Sequence, residues 1–151
     1  MLPELPVNEA LPALHQALAA GSNAVLVAPP GAGKTTIVPL VLMGEDWAGN
    51  QKILVLEPRR VAARAAARRM ATLLGEELGH TIGLATRLDR AGSAATRVEV
   101  VTEGLLVRRL QGDPGLDGVA AVLFDEAHER NLDTDLALAL CLDLQRELRP
   151  E

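Results

Sequence analysis

Ala28-Pro-Pro-Gly-Ala-Gly-Lys-Thr-Thr36 is the stretch around which the rest of the chain is organised. It follows an apolar run, Ala24-Val-Leu-Val-Ala28, and precedes Ile37 to Met43, so it reads as strand, glycine-rich turn and helix. The pattern is small-x-x-x-x-Gly-Lys-Thr, with Ala28 where glycine is usual. That context turns the pattern into a phosphate-binding loop. Gly31 and Gly33 allow a tight turn that brings backbone N–H groups close to an anion. The helix that follows adds unpaired N–H donors and a partial positive charge. Lys34 is placed to reach the β- and γ-phosphates, and the Thr35 hydroxyl to ligate Mg²⁺. The competing reading is a glycine-rich turn with a surface lysine.

Outward from this loop, the chain alternates between strands and helices. Asn8 caps a predicted helix that runs to Ala20, in which Pro12 fits only the first turn. His15 on that helix has no partner in view. Pro39 falls inside the helix after the loop and should kink it or remove a backbone bond. Gly44 to Asn50 reads as a loop or frayed helix end, and Ile53 to Leu56 as an apolar strand. Arg59 to Leu74 is Ala-rich and helical by propensity. Thr81 to Ala85 is a weaker strand, Ala91 to Ala95 a turn, and Arg97 to Val101 a strand. Glu103 to Gln111 reads as a short helix and Val119 to Phe124 as a further apolar strand. Leu132 to Leu148 closes the chain as an amphipathic helix, with Cys141 as a small buried hydrophobe.

Strands that are apolar throughout predict an α/β fold with a parallel sheet covered on both faces. Ligands of such sheets bind at the carboxyl ends of the strands. The phosphate loop, Glu57 to Arg60, Thr102 to Gly104 and Asp125-Glu126 each follow a strand directly, so they should gather along one edge. Asp125 is placed to hold Mg²⁺ and Glu126 to orient or deprotonate a water, unless the pair is an ordinary acidic turn.

Composition sets outer bounds. The 151 residues suffice for one domain with a core. With one Phe, one Trp and no Tyr, that core must be built from Leu, Val, Ile and Ala. A net charge of −5 argues against nonspecific polyanion binding, although a local basic face can still hold phosphate. The basic residues are thirteen Arg and two Lys. A single cysteine excludes an intrachain disulfide, and no Cys/His cluster suggests zinc. No apolar run reaches membrane-spanning length and no signal pattern opens the chain, so the expected compartment is cytoplasmic.

Asp125-Glu-Ala-His128, continuing as Glu-Arg-Asn-Leu-Asp-Thr-Asp135, resembles the signature of DEAH-box helicases of superfamily 2. Pro29 to Thr36 with Pro39 resembles that family's motif I, Glu57-Pro-Arg-Arg-Val-Ala-Ala63 its motif Ia, and Val101-Thr-Glu-Gly-Leu105 its motif Ib. The four motifs occur in the family's order and cover most of the chain. Other phosphate-loop enzymes, such as kinases, do not predict the second and third of these.

The resemblance implies a three-layer RecA-like phosphate-loop NTPase domain over residues 1–151, the first such lobe of an ATP-dependent helicase. By resemblance, Pro30, Gly31, Ala32, Gly33, Lys34, Thr35 and Thr36 bind ATP, and Thr35 and Asp125 hold Mg²⁺. Glu126 handles the water, and His128 links the nucleotide site to a second lobe. Arg59, Arg60, Thr102 and Gly104 contact the backbone of single-stranded nucleic acid, RNA favoured over DNA. Arg69 matches an arginine that stacks on adenine in relatives. Arg87 receives no role, and Arg108 and Arg109 read as a solvated helix face. The chain ends at Glu151, short of the strand that carries the family's motif III. The expectation is therefore an incomplete first lobe, lacking its second lobe and weak or inactive alone. A standalone ATP- or RNA-binding module without turnover is the alternative.

Overall fold

The computed structural model describes residues 34–45, 48–57, 59–112 and 118–124, with the backbone alone at Lys34, Thr35 and Glu103. The strand expected at Ala24 to Ala28, the helices expected at Asn8 to Ala20 and Leu132 to Leu148, and His15 and Cys141 lie outside the described residues. Three helices are described: α1 (Lys34–Leu42), α2 (Arg60–Leu73) and α3 (Glu103–Gly112). Five strands, β1 (Lys52–Leu56), β2 (Ile82–Ala85), β3 (Arg90–Ala91), β4 (Val98–Val101) and β5 (Val119–Phe124), form one sheet in the order β3-β2-β4-β1-β5.

β2, β4, β1 and β5 pair in parallel. Successive side chains on a strand point to opposite faces, which explains why apolar runs are needed here. On one face Ile53 and Val55, Val98 and Val100, and Ile82 and Leu84 pack with α1 and α2. On the other, Leu54, Leu56, Val101 and Ala85 pack with Leu105, Leu106 and Leu110 of α3. The result is three layers, helix, sheet and helix. Ala63, Ala66, Ala67 and Ala71 on the buried side of α2 have almost no side chain to hold the helix away from the sheet, and Met70 fills the space between them.

Two expectations need correction. The sheet is mixed, not wholly parallel. Arg90 and Ala91 form a short strand antiparallel to β2, with Ala85 opposite Arg90, where a turn was expected from Ala91 onward. The Thr86 side chain is the cause: its hydroxyl accepts from the N–H groups of Leu88 (3.3 Å) and Asp89 (2.9 Å). The Thr86 N–H donates to the carbonyl of Asp89 at 2.8 Å, and the chain reverses within four residues. The strands are also not apolar throughout, because β4 carries Glu99 in the interior of the sheet.

Pro39 sits inside α1, buried, and the helical bonding resumes beyond it, with Met43 N–H donating to its carbonyl at 3.0 Å. Among the described residues no helix is long and apolar enough to cross a membrane.

Candidate nucleotide and nucleic-acid edge

All four parallel strands run the same way, so their carboxyl ends share one edge. Glu57 follows β1 and is buried, its N–H bonded to the carbonyl of Val101 at 3.0 Å. That bond holds the start of the Glu57 to Arg60 segment beside the end of β4. Arg59 precedes α2 in an extended conformation (φ −111°, ψ 129°) and makes no side-chain cap. Its carbonyl accepts the first helical bond, from Ala63 N–H at 2.8 Å.

The first turn of α2 contains no acidic residue, and Arg59 and Arg60 are both exposed there. Guanidinium groups at a helix amino terminus are unfavourable, since unpaired N–H donors already make that end positive. The same combination attracts an anion.

Thr102 follows β4 and is half-buried; its N–H points to the carbonyl of Ala85 at 3.4 Å, and its own carbonyl accepts from Leu106 N–H at 3.1 Å. Gly104 in the first turn of α3 is exposed, and a methyl group added there would meet nothing within 4 Å.

The turn after β2 reaches the same edge. Asp89 in this turn pairs with Arg64, one helical turn after Arg60 on α2. That pair ties the turn, with Arg87 and Leu88 exposed at its tip, to the amino-terminal half of α2. Thr86 alone carries the local signal for this turn, because its hydroxyl bonds the backbone of residues 88 and 89 whatever their side chains; the Arg64 contact has none, because it joins residues distant in the chain.

α1 meets the edge from the other direction. Its carboxyl end lies where β4 begins, since Arg97 reaches the carbonyl of Met43. Nine helical residues span about 13 Å, which directs the first of them, Lys34, back toward the carboxyl edge. The first turn of α1 holds no acidic side chain.

The chain matches the DEAD/DEAH box helicase family over residues 8–137. It belongs to that family. This helicase-family chain is 50% identical over 147 residues to the ATP-dependent RNA helicase HrpB of Escherichia coli K12, a match covering 97% of this chain and 18% of that protein. It is 35% identical to the ATP-dependent RNA helicase DHX33 of Drosophila melanogaster, over 97% of this chain and 21% of the other. A crystal structure of Escherichia coli HrpB superposes with a TM-score of 0.92 at 51% identity, over 97% of this chain and 18% of that one. The chain thus spans about a fifth of the length of these relatives. Its mostly parallel sheet between helices is the RecA-like fold of the helicase family.

Within this helicase-family domain the expected nucleic-acid residues Arg59, Arg60, Thr102 and Gly104 all stand at the carboxyl edge. Thr36 is half-buried in the first turn of α1. Arg69 is exposed on α2, nine residues beyond Arg60, about 13 Å farther along the helix axis. The structure does not bring it together with the first-turn arginines. Pro30, Gly31, Ala32, Gly33, Asp125, Glu126 and His128 lie outside the described residues. Among the described residues no group of three or more His, Cys, Asp or Glu could hold a metal ion.

Arg109 departs from the expectation of a solvated helix face. Its Nη1 and Nη2 donate to the two carboxylate oxygens of Glu99 at 2.7 and 3.0 Å. Arg108 is exposed, as expected.

Proposed function

We propose that this chain binds ATP with Mg²⁺ and serves as the nucleotide-binding lobe of an ATP-dependent RNA helicase, in the cytosol. The carboxyl edge of the sheet carries this reading. The segments matching motifs Ia and Ib emerge there side by side, and α1 starts toward it with no acidic residue in its first turn. An anion suits that helix start. Pro30 to Thr36 would cradle the phosphates, Lys34 would meet the β- and γ-phosphates, and Thr35 and Asp125 would hold Mg²⁺. Arg69 would lie against the adenine. Bound Mg²⁺ would offset charge developing on the phosphoryl oxygens. Glu126 would hold the attacking water, and His128 would pass the state of the site to a second RecA-like lobe.

Arg59, Arg60, Thr102 and Gly104 would grip the sugar-phosphate backbone of a single RNA strand. Such contacts position a strand without reading its sequence. Unwinding needs a second lobe in this reading, because one lobe cannot alternate its grip. Calorimetry with ATP and Mg²⁺ on the chain and on Lys34→Ala tests the nucleotide site. Binding should be measurable for the first and lost for the second, with unchanged circular dichroism. Equal affinity in both would remove the phosphate-loop assignment.

A further inference from the structure

Glu99 occupies an unusual place for a carboxylate. It lies within β4, between β1 and β2, with Leu54 and Gly83 as its neighbours in register. Its side chain lies on the sheet face covered by α3, the face that also carries the apolar cluster of Leu54, Leu56, Val101, Leu105, Leu106 and Leu110, and the charges of Lys52 and Arg90 act on it besides Arg109. Arg109, in the last turn of α3, grips it with two parallel bonds of 2.7 and 3.0 Å. Such a fork is directional: it is planar, and both bonds form only at one rotation and one slide of the helix.

Leucine contacts lack that directionality. Leu105, Leu106 and Leu110 hold α3 on the sheet, but apolar packing of this kind tolerates small rotations better than a bidentate pair does. A partly buried ion pair such as this one also adds little net stability over apolar residues of the same size. Its physical contribution is therefore more to geometry than to stability.

The geometry it sets matters at the other end of the helix. Thr102 and Gly104 lie five to seven residues before Arg109, about 8–10 Å along α3. We propose that the Glu99–Arg109 fork is a positioning device that fixes the rotation of α3 and so aims Thr102 to Gly104 at the phosphates of a bound RNA strand. This rests on the reading of the carboxyl edge as the RNA-binding face. Neither residue touches RNA. Both act through α3.

The test replaces the pair by apolar residues of similar size, Glu99→Leu with Arg109→Met, and compares it with Arg109→Lys, which keeps the charge and loses the fork. Thermal melting, calorimetry with ATP and Mg²⁺, and titration of a fluorescent single-stranded oligoribonucleotide are measured on each. The double variant should melt close to the parent and bind ATP equally, while its RNA affinity falls about tenfold, with Arg109→Lys in between. Unchanged RNA affinity in a folded double variant overturns the proposal. So does a loss of RNA affinity that merely follows a fall in melting temperature. If the double variant does not fold, Arg109→Lys decides: full RNA affinity there overturns the proposal, and reduced affinity with unchanged melting supports it. If the unsubstituted chain binds no RNA, the reading of the edge itself fails, and the proposal with it.

Discussion

Arg97 joins two ends of the domain that the sequence keeps apart: its Nη2 donates to the carbonyl of Met43 at 2.8 Å, just past the last residue of α1. Its Nε donates to the carbonyl of Gln51 at 3.1 Å, just before β1. A helix leaves its last carbonyls without partners, and a cation there also meets the negative end of the helix. One guanidinium thus pins α1, β1 and the start of β4 together at the edge opposite the candidate site.

Arg97→Ala should therefore destabilise the domain by about 1–3 kcal/mol, as for other hydrogen bonds from a charged group. Arg97→Lys should recover only part of this, because a single ammonium does not span both carbonyls as the fork does. Urea unfolding followed by circular dichroism measures both. Unchanged midpoints would mean that the contact is not formed in solution.

Gly83→Ala should be poorly tolerated for a different reason. A methyl group at Gly83 would sit 2.9 Å from the carbonyl oxygen of Ala91 and 2.9 Å from Cγ2 of Thr96. The first of these is backbone in β3. The second cannot swing away, because the Thr96 hydroxyl donates to the His80 carbonyl at 2.7 Å and accepts from Ser93 N–H at 3.0 Å. Overpacking of this kind costs about 1–3 kcal/mol. A thermal melt shows it directly; an unshifted transition would mean that β3 moves aside freely.

These contacts mark what could be read in the sequence and what could not. β1 and β5 were legible as apolar runs, and α2 as an Ala-rich helix, because local composition dictates each. β3 was not, because two residues carry no pattern and a single threonine side chain makes the turn before it. The Glu99–Arg109 pair was hidden for another reason. Which face of β4 and which face of α3 meet is a tertiary fact, and neither residue reveals it locally. The candidate site stands between these cases. Its motifs were legible as patterns that follow strands, and the meeting of Glu57 to Arg60 with Thr102 to Gly104 on one edge followed from the parallel pairing of β1 and β4. The tie from Arg64 to the turn that presents Arg87 was not.

Acid should expose the Glu99 contribution. Burial pushes its carboxyl upward, but the bonds from Arg109, with the charges of Arg109, Lys52 and Arg90, outweigh this and hold it below its ordinary value of 4.5. The same bonds raise the Arg109 guanidinium against the opposing effect of its burial. With the folded value of Glu99 below the unfolded one, the unfolded chain takes up the proton first as pH falls. The stability from this group is full above the unfolded value and is lost as pH falls through the folded one. Glu99→Gln should therefore lie below the parent in stability at pH 7, and the gap should close as pH drops below about 4.5. Urea unfolding of both proteins from pH 7 to about pH 3 gives the gap directly; a constant gap would remove the ionic account of this pair.

Gly104→Ala separates folding from binding. The residue lies in the first turn of α3, its φ is not positive, and a methyl group there would enter open space. Nothing in the fold requires glycine. Alanine is the better helix former by up to about 1 kcal/mol, so the variant should be as stable as the parent or slightly more so. The RNA contact proposed above would account for the glycine. A nucleic-acid backbone bonded to the amino end of α3 would come close enough to meet that methyl group. The variant should keep its melting temperature and its ATP affinity while binding single-stranded RNA more weakly, whatever the base sequence, because phosphate contacts carry no sequence information. Titrations with two oligoribonucleotides of unrelated sequence settle this. Equal weakening on both supports a backbone contact at Gly104, and parent-like affinity on both would leave Gly104 as an ordinary helix residue.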